Sequence, residues 1–147
     1  MKLVEFSVQN YRSITSARKI KLHSFTVLLG KNNEGKSNLL TALNVAMKIM
    51  LRYCRRDVKY AGLPHETFLY DWRRDFPVQF QDRKQGKESI FKLNFRLEDA
   101  ELKEFHEEIG IRGNEDIPIV IKIGMDNKVM IGIPKKGSSS YNSSLQL

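Results

Sequence analysis

The chain is 147 residues long, about one domain with room for a real core, and its 41% apolar and 10% aromatic residues exclude disorder throughout. A single cysteine, Cys54, excludes an intrachain disulfide and a thiolate metal cage, and no apolar run nears the ~20 residues needed to cross a bilayer. Against 17 Asp and Glu stand 25 Lys and Arg, so the net charge of +8 suits a polyanionic partner without saying whether it is nucleic acid or nucleotide.

With no signal peptide evident, a cytoplasmic protein without membrane contact is the simplest reading. His23, His65 and His106 lie far apart with no ligand spacing, so each reads as a surface or packing residue.

In chain order, Lys2 to Gln9 alternates, with Val4, Phe6 and Val8 against Glu5, Ser7 and Gln9, the pattern of a strand with one side buried. Asn10-Tyr11-Arg12-Ser13 reads as a polar turn. Arg18 to Leu22 offers a second short strand with Ile20 and Leu22 inward. After His23-Ser24, the run Phe25-Thr26-Val27-Leu28-Leu29 is nearly all apolar, as a central parallel strand should be.

That run leads into Gly30-Lys31-Asn32-Asn33-Glu34-Gly35-Lys36-Ser37, which fits G-x-x-x-x-G-K-[ST], the phosphate-binding loop of nucleotide triphosphatases. Leu39, Leu40, Leu43, Met47, Met50 and Leu51 then recur at helical spacing, predicting a helix to about Tyr53. Strand, glycine loop and helix are the context the motif requires. Gly30 and Gly35 permit backbone angles and close approach that a Cβ would forbid, so successive N–H groups can converge on phosphate oxygens. The helix N-terminus adds unpaired amides and partial positive charge. Lys36 would reach the β- and γ-phosphates, and the Ser37 hydroxyl would take a place on Mg²⁺. The competing reading is a glycine turn with an exposed Lys-Ser.

The opening strand, Asn10-Tyr11-Arg12-Ser13-Ile14, the second strand and the loop from Gly30 through Ser37 to Asn38-Leu39-Leu40 together resemble a known family. It is the N-terminus of ABC-type ATPases related to the structural-maintenance-of-chromosomes and RecF proteins. Within them the chain is most similar to the branch of overcoming-lysogenization-defect (OLD-like) nucleases and stand-alone antiviral ATPases. The resemblance is strong over residues 1–51. It implies an α/β P-loop NTPase fold, the first lobe of an ABC-type head, with ATP and Mg²⁺ as cofactors. The nucleotide-binding set it implies is Gly30, Lys31, Asn32, Asn33, Glu34, Gly35, Lys36, Ser37 and Asn38, with Ser37 on the metal. It further implies that Arg12 reaches the γ-phosphate, against the plainer reading of a solvated turn arginine.

Further along, Arg52, Arg55 and Arg56 suit the negative end of the helix dipole. Residues 57–87 interleave Phe68, Tyr70, Trp72, Phe76 and Phe80 with Arg73 and Arg74. That mixture reads as a small satellite core with a solvated rim, or as a platform for stacking nucleic-acid bases. Ser89 to Leu97 alternates as a strand. Asp99 is placed to cap a short helix with Leu102, Phe105 and Ile109 as its stripe, and Gly110 to end it. The glutamates of that helix read as its wet face. Ile117–Ile123 and Val129–Ile133 flank Met125-Asp126-Asn127-Lys128 as a hairpin, with Pro118 suited to an edge or a strand's first residue.

The organisation predicted is one lobe over residues 1–133 and a tail or linker over 134–147. No apolar run of four ends in Asp-Glu, the pair that in the resembled family holds Mg²⁺ and activates water, and Gln79, Gln81 and Gln85 come too early for that family's glutamine loop. The chain therefore reads as the triphosphate-binding half of a site. The resemblance implies that a C-terminal lobe or dimer partner would supply the other half, with a nuclease or other effector, and DNA, as partners of the whole. The alternative is a nucleotide- or protein-binding module without turnover.

Overall fold

Two alternating apolar patterns meet at a tight turn near the N-terminus, and the sheet grows from there. The computed structural model describes residues 1–29, 33–54, 69–109 and 116–134. Strand β1 (Lys2–Tyr11) turns through Arg12-Ser13 into β2 (Ile14–Lys21), with Tyr11 opposite Ile14. The second strand thus begins four residues before the Arg18 start expected from its apolar pair. Strand β3 (Ser89–Arg96) pairs with the other side of β1. A hairpin of β4 (Asp116–Ile123) and β5 (Val129–Gly132) completes a five-stranded sheet in the order β2-β1-β3-β4-β5, every pairing antiparallel. Strand β5 pairs only Val120 to Ile123, so Pro118 sits where β4 faces no described strand on that side, as an N–H-less residue should.

The period of two sorts the faces. Phe6, Val8, Tyr11, Phe91, Leu93, Phe95, Ile121 and Ile123 are buried on one side, while Lys92 and Arg96 stand exposed on the other. Helix α1 (Asn33–Cys54) packs on the apolar side. Its buried stripe is Ala42, Val45, Ala46, Ile49 and Met50, spaced at three and four. Leu40 and Leu51, expected in that stripe, are exposed instead; the alanines face the core and let the helix backbone approach the sheet.

The aromatic stretch after α1 is not a satellite. A one-turn helix α2 (Trp72–Asp75) and a 3₁₀ turn (Val78–Phe80) carry Tyr70, Trp72 and Phe76 into the main core, where Trp72 stacks on Phe76 at 4.9 Å between ring centres. Buried rings cannot stack on bases, which removes the base-stacking platform for these three; Phe68 lies outside the described residues. Helix α3 (Asp99–Ile109) is capped one residue earlier than expected. The Leu102 N–H donates to the Glu98 carbonyl and Glu101 Oε2 accepts from the Glu98 N–H, the reciprocal bond of a capping box.

The expected strand Phe25–Leu29 is absent. These residues form no ladder, and Phe25, Val27 and Leu29 are 83%, 56% and 89% exposed. A strand exists only against a hydrogen-bonding neighbour. Among the described residues the five strands pair with one another and none pairs with the apolar run. The tail over 135–147 and the end of α3 at Gly110 lie outside the described residues.

Candidate functional site

The motif residues divide. Gly30, Lys31 and Asn32 lie outside the described residues. Asn33 to Ser37 form the first residues of α1, so the helix takes in positions read from the motif as loop. The first N–H groups of any helix lack an intrahelical acceptor, and here they include those of Asn33, Glu34 and Gly35. Gly35 is exposed, and a Cβ built on it would meet nothing within 4 Å. The space beside its backbone is open, so close approach, not an unusual φ, is what the glycine provides. Lys36 is half-buried and Ser37 exposed in the same turn. Amides, an ammonium and a hydroxyl are a donor set that fits a polyphosphate with a hard cation, which prefers oxygen ligands.

Asn38 is turned elsewhere. Its Nδ2 donates to Ser13 Oγ at 2.8 Å, tying the start of α1 to the β1–β2 turn. The structure thereby brings Arg12 and the motif helix into one neighbourhood, although 25 residues separate Ser13 from Asn38.

That turn is held on every side. Asn10 and Arg12 both take left-handed backbone, with φ of 54° and 48°. A two-residue hairpin between right-twisted strands calls for positive φ at its first central position, which glycine fills without a Cβ penalty and asparagine or aspartate at a small one. Arginine there costs on the order of 1–3 kcal/mol unless its surroundings fix it. They do. Asn10 Nδ2 donates to the Glu88 carbonyl at 3.0 Å, and Ser89 Oγ, itself bonded to the Tyr70 hydroxyl, donates to the Asn10 carbonyl. The Arg12 N–H donates to the Asp75 carbonyl at 2.6 Å, and Arg12 Nε donates to Asp75 Oδ1 at 2.9 Å.

Asp75 was not visible as a functional residue in the sequence. Its side chain has no exposed surface, yet both oxygens are satisfied: Arg74 reaches them through Nε and Nη2, and the Asp71 N–H donates to Oδ2 at 3.0 Å. Burial pushes the carboxyl up, but the bonds from Arg74, the Asp71 N–H and Arg12 outweigh it and hold Asp75 below the usual carboxylate range. The available signal was a lone carboxylate among Trp72, Phe76 and Pro77, where a buried charge demands partners. The neighbouring Tyr11 hydroxyl is pushed up by burial and then by the Asp75 charge, so it stays neutral.

Among the described residues no group of three or more His, Cys, Asp or Glu gathers to hold a metal, and no helix is long and apolar enough to cross a membrane.

A family model described as AAA ATPase domain matches residues 1–145. A solved chain from structural work on the ATP-driven dimerization and DNA-stimulated activation of SMC ATPases superposes with a TM-score of 0.56 at 14% identity, over 95% of this chain and 73% of that one. The antiparallel sheet with its motif helix is thus the fold of an SMC-type head's N-terminal lobe. No curated protein matches the sequence.

Proposed function

Because the chain belongs to the AAA ATPase domain family, we propose that it binds Mg-ATP on residues 30–37 and works as the triphosphate-holding lobe of an ABC-type ATPase. One observation carries this reading: the Asn38–Ser13 bond ties the amide-rich start of α1 to the turn bearing Arg12, which supports a role for both toward one phosphate chain. The amides from Asn33 to Gly35 orient the phosphate chain, Lys36 neutralises its outer end, the Ser37 hydroxyl offers one oxygen to the cation, and Arg12 approaches the γ-phosphate. Bound Mg²⁺ would supply charge neutralisation of the phosphates.

The finer reading is hydrolysis in a dimer of heads, driving a nuclease or other effector in DNA repair or antiphage defence, in a cytoplasmic protein. It is supported by the sequence resemblance and by the solved neighbour, described as ATP-dimerised and DNA-stimulated. The second reading, nucleotide binding without turnover by this chain, is favoured by the sequence, in which no apolar run of four ends in Asp-Glu. Steady phosphate release from the purified chain would exclude it.

The test is titration of a labelled ATP analogue with Mg²⁺ into the purified chain beside Lys36→Ala. Loss of one ion pair with a phosphate should weaken binding by about tenfold or more. A variant that binds as well as the parent overturns the proposal.

A further inference from the structure

We propose that Asp75 is the positioning residue for Arg12, fixing the guanidinium so that its two terminal nitrogens face the outermost phosphate of the nucleotide. The inference rests on the reading of Arg12 as a phosphate contact and adds the group that makes it one.

The geometry is specific. Asp75 takes Arg12 at two points, the backbone N–H through its carbonyl and Nε through Oδ1. Among the described residues these are the hydrogen bonds of Arg12, and neither uses a terminal nitrogen. An arginine held side-on through Nε keeps both Nη groups for a bidentate anion, which a grip on Nη would consume. The Cζ atom lies 5.3 Å from the centre of the Tyr11 ring, which backs the guanidinium from another side.

Asp75 is itself held by several partners. Its carboxylate is clamped by Arg74 and by the Asp71 N–H, and Asp71 caps the same short helix by accepting from the Arg74 N–H. That helix is pinned to the rest of the fold through Trp72, whose N–H donates to Asn127 Oδ1 at 2.8 Å and whose Nε1 donates to the Lys87 carbonyl at 2.9 Å. Arg12 has a side chain 35% exposed, at the edge of solvent, while its anchor has no exposed surface. A rigid buried post carrying a half-exposed cation is preorganisation: the side-chain freedom is lost on folding and not on binding.

A purely structural pair would not need its arginine on a left-handed turn residue. Glycine or asparagine would form that hairpin with less strain, and the Asp75 carbonyl would still meet the backbone N–H. Departure from local preference at a site already implicated in binding is where function is expected to override stability.

The experiment measures Mg-ATP and Mg-ADP affinities and melting temperatures for the parent chain, Asp75→Asn, Arg12→Ala, the double variant, Arg12→Lys and Lys36→Ala. Asp75→Asn should weaken ATP about tenfold and leave ADP within about twofold, as expected for losing an oriented charge-assisted contact to the γ-phosphate alone. Arg12→Ala should match it, and the double variant should be no worse than Arg12→Ala alone, because Asp75 acts only through Arg12. Equal losses for ATP and ADP in Asp75→Asn, or losses that add in the double variant, would overturn the proposal in favour of a structural ion pair. Should Asp75→Asn fail to fold, Arg12→Lys decides: it keeps the charge but cannot grip Asp75 and a phosphate together, so its ATP preference must drop likewise, and an unchanged preference overturns the idea. Lys36→Ala separates the two levels. If it loses both nucleotides while Asp75→Asn keeps its ATP preference, the phosphate-loop reading stands and the positioning role falls; if it binds normally, both fall.

Discussion

Asp75 is an acid with no exposed surface that nevertheless titrates below its ordinary range, since the donors around it win against burial. A carboxyl whose folded pKa lies below the unfolded value contributes stability that is fully present above the unfolded value and is lost as pH falls through the folded one. The groups facing Asp75 are Arg12, Arg74, the Asp71 N–H and the neutral hydroxyls of Tyr11 and Tyr70. Asp75→Asn should therefore cost about 2–3 kcal/mol of unfolding free energy at neutral pH, since the two half-exposed arginines it abandons can rehydrate. The gap between variant and parent should stay constant down to about pH 4 and close below it. Urea denaturation between pH 3 and 8 measures this, and a gap that widens on acidification would mean the carboxyl is protonated in the native state.

The elements differ in how far their own residues decide them. Strands β1 and β3 and the β4–β5 hairpin were legible because a period of two with one buried face is a local signal, and α1 because its apolar period is helical. Illegible were the parts made by distant contacts: the Arg12–Asp75 pair spans 63 residues, and α2 has four residues, too few to form without tertiary partners. One such partner is Asn127 in the β4–β5 turn, with φ 58° and its Oδ1 on the Trp72 N–H. Asn127→Gly keeps the backbone and loses the bond, and should cost about 1 kcal/mol; Asn127→Ala loses the bond too and lacks asparagine's tolerance of the left-handed region, and should cost about 2 kcal/mol. Chemical denaturation of both variants orders them, and an alanine variant as stable as the glycine one would show that the turn relaxes to another conformation.

At the scale of the whole molecule, α1 and the segment around Trp72 and Phe76 cover one face of the described sheet. The core joins the inner face of the sheet, α1 and the segment around Trp72 and Phe76, and it closes without residues 25–29. A run as apolar as Phe25-Thr26-Val27-Leu28-Leu29 has the composition of an interior strand, but composition states what a segment tolerates and not what lies beside it. The structure leaves Phe25 and Leu29 among its most exposed large apolar side chains. The two arrangements give opposite stabilities. If the run is outside the core of this chain, Phe25→Ser with Leu29→Ser should move the unfolding free energy by no more than about 0.5 kcal/mol, whereas truncating the fully buried Phe91 to alanine should cost about 3–5 kcal/mol. Thermal and urea unfolding of the purified chain compares them directly. A double-serine variant destabilised as severely as Phe91→Ala would return the strand to the core and require a sixth strand beside the described sheet.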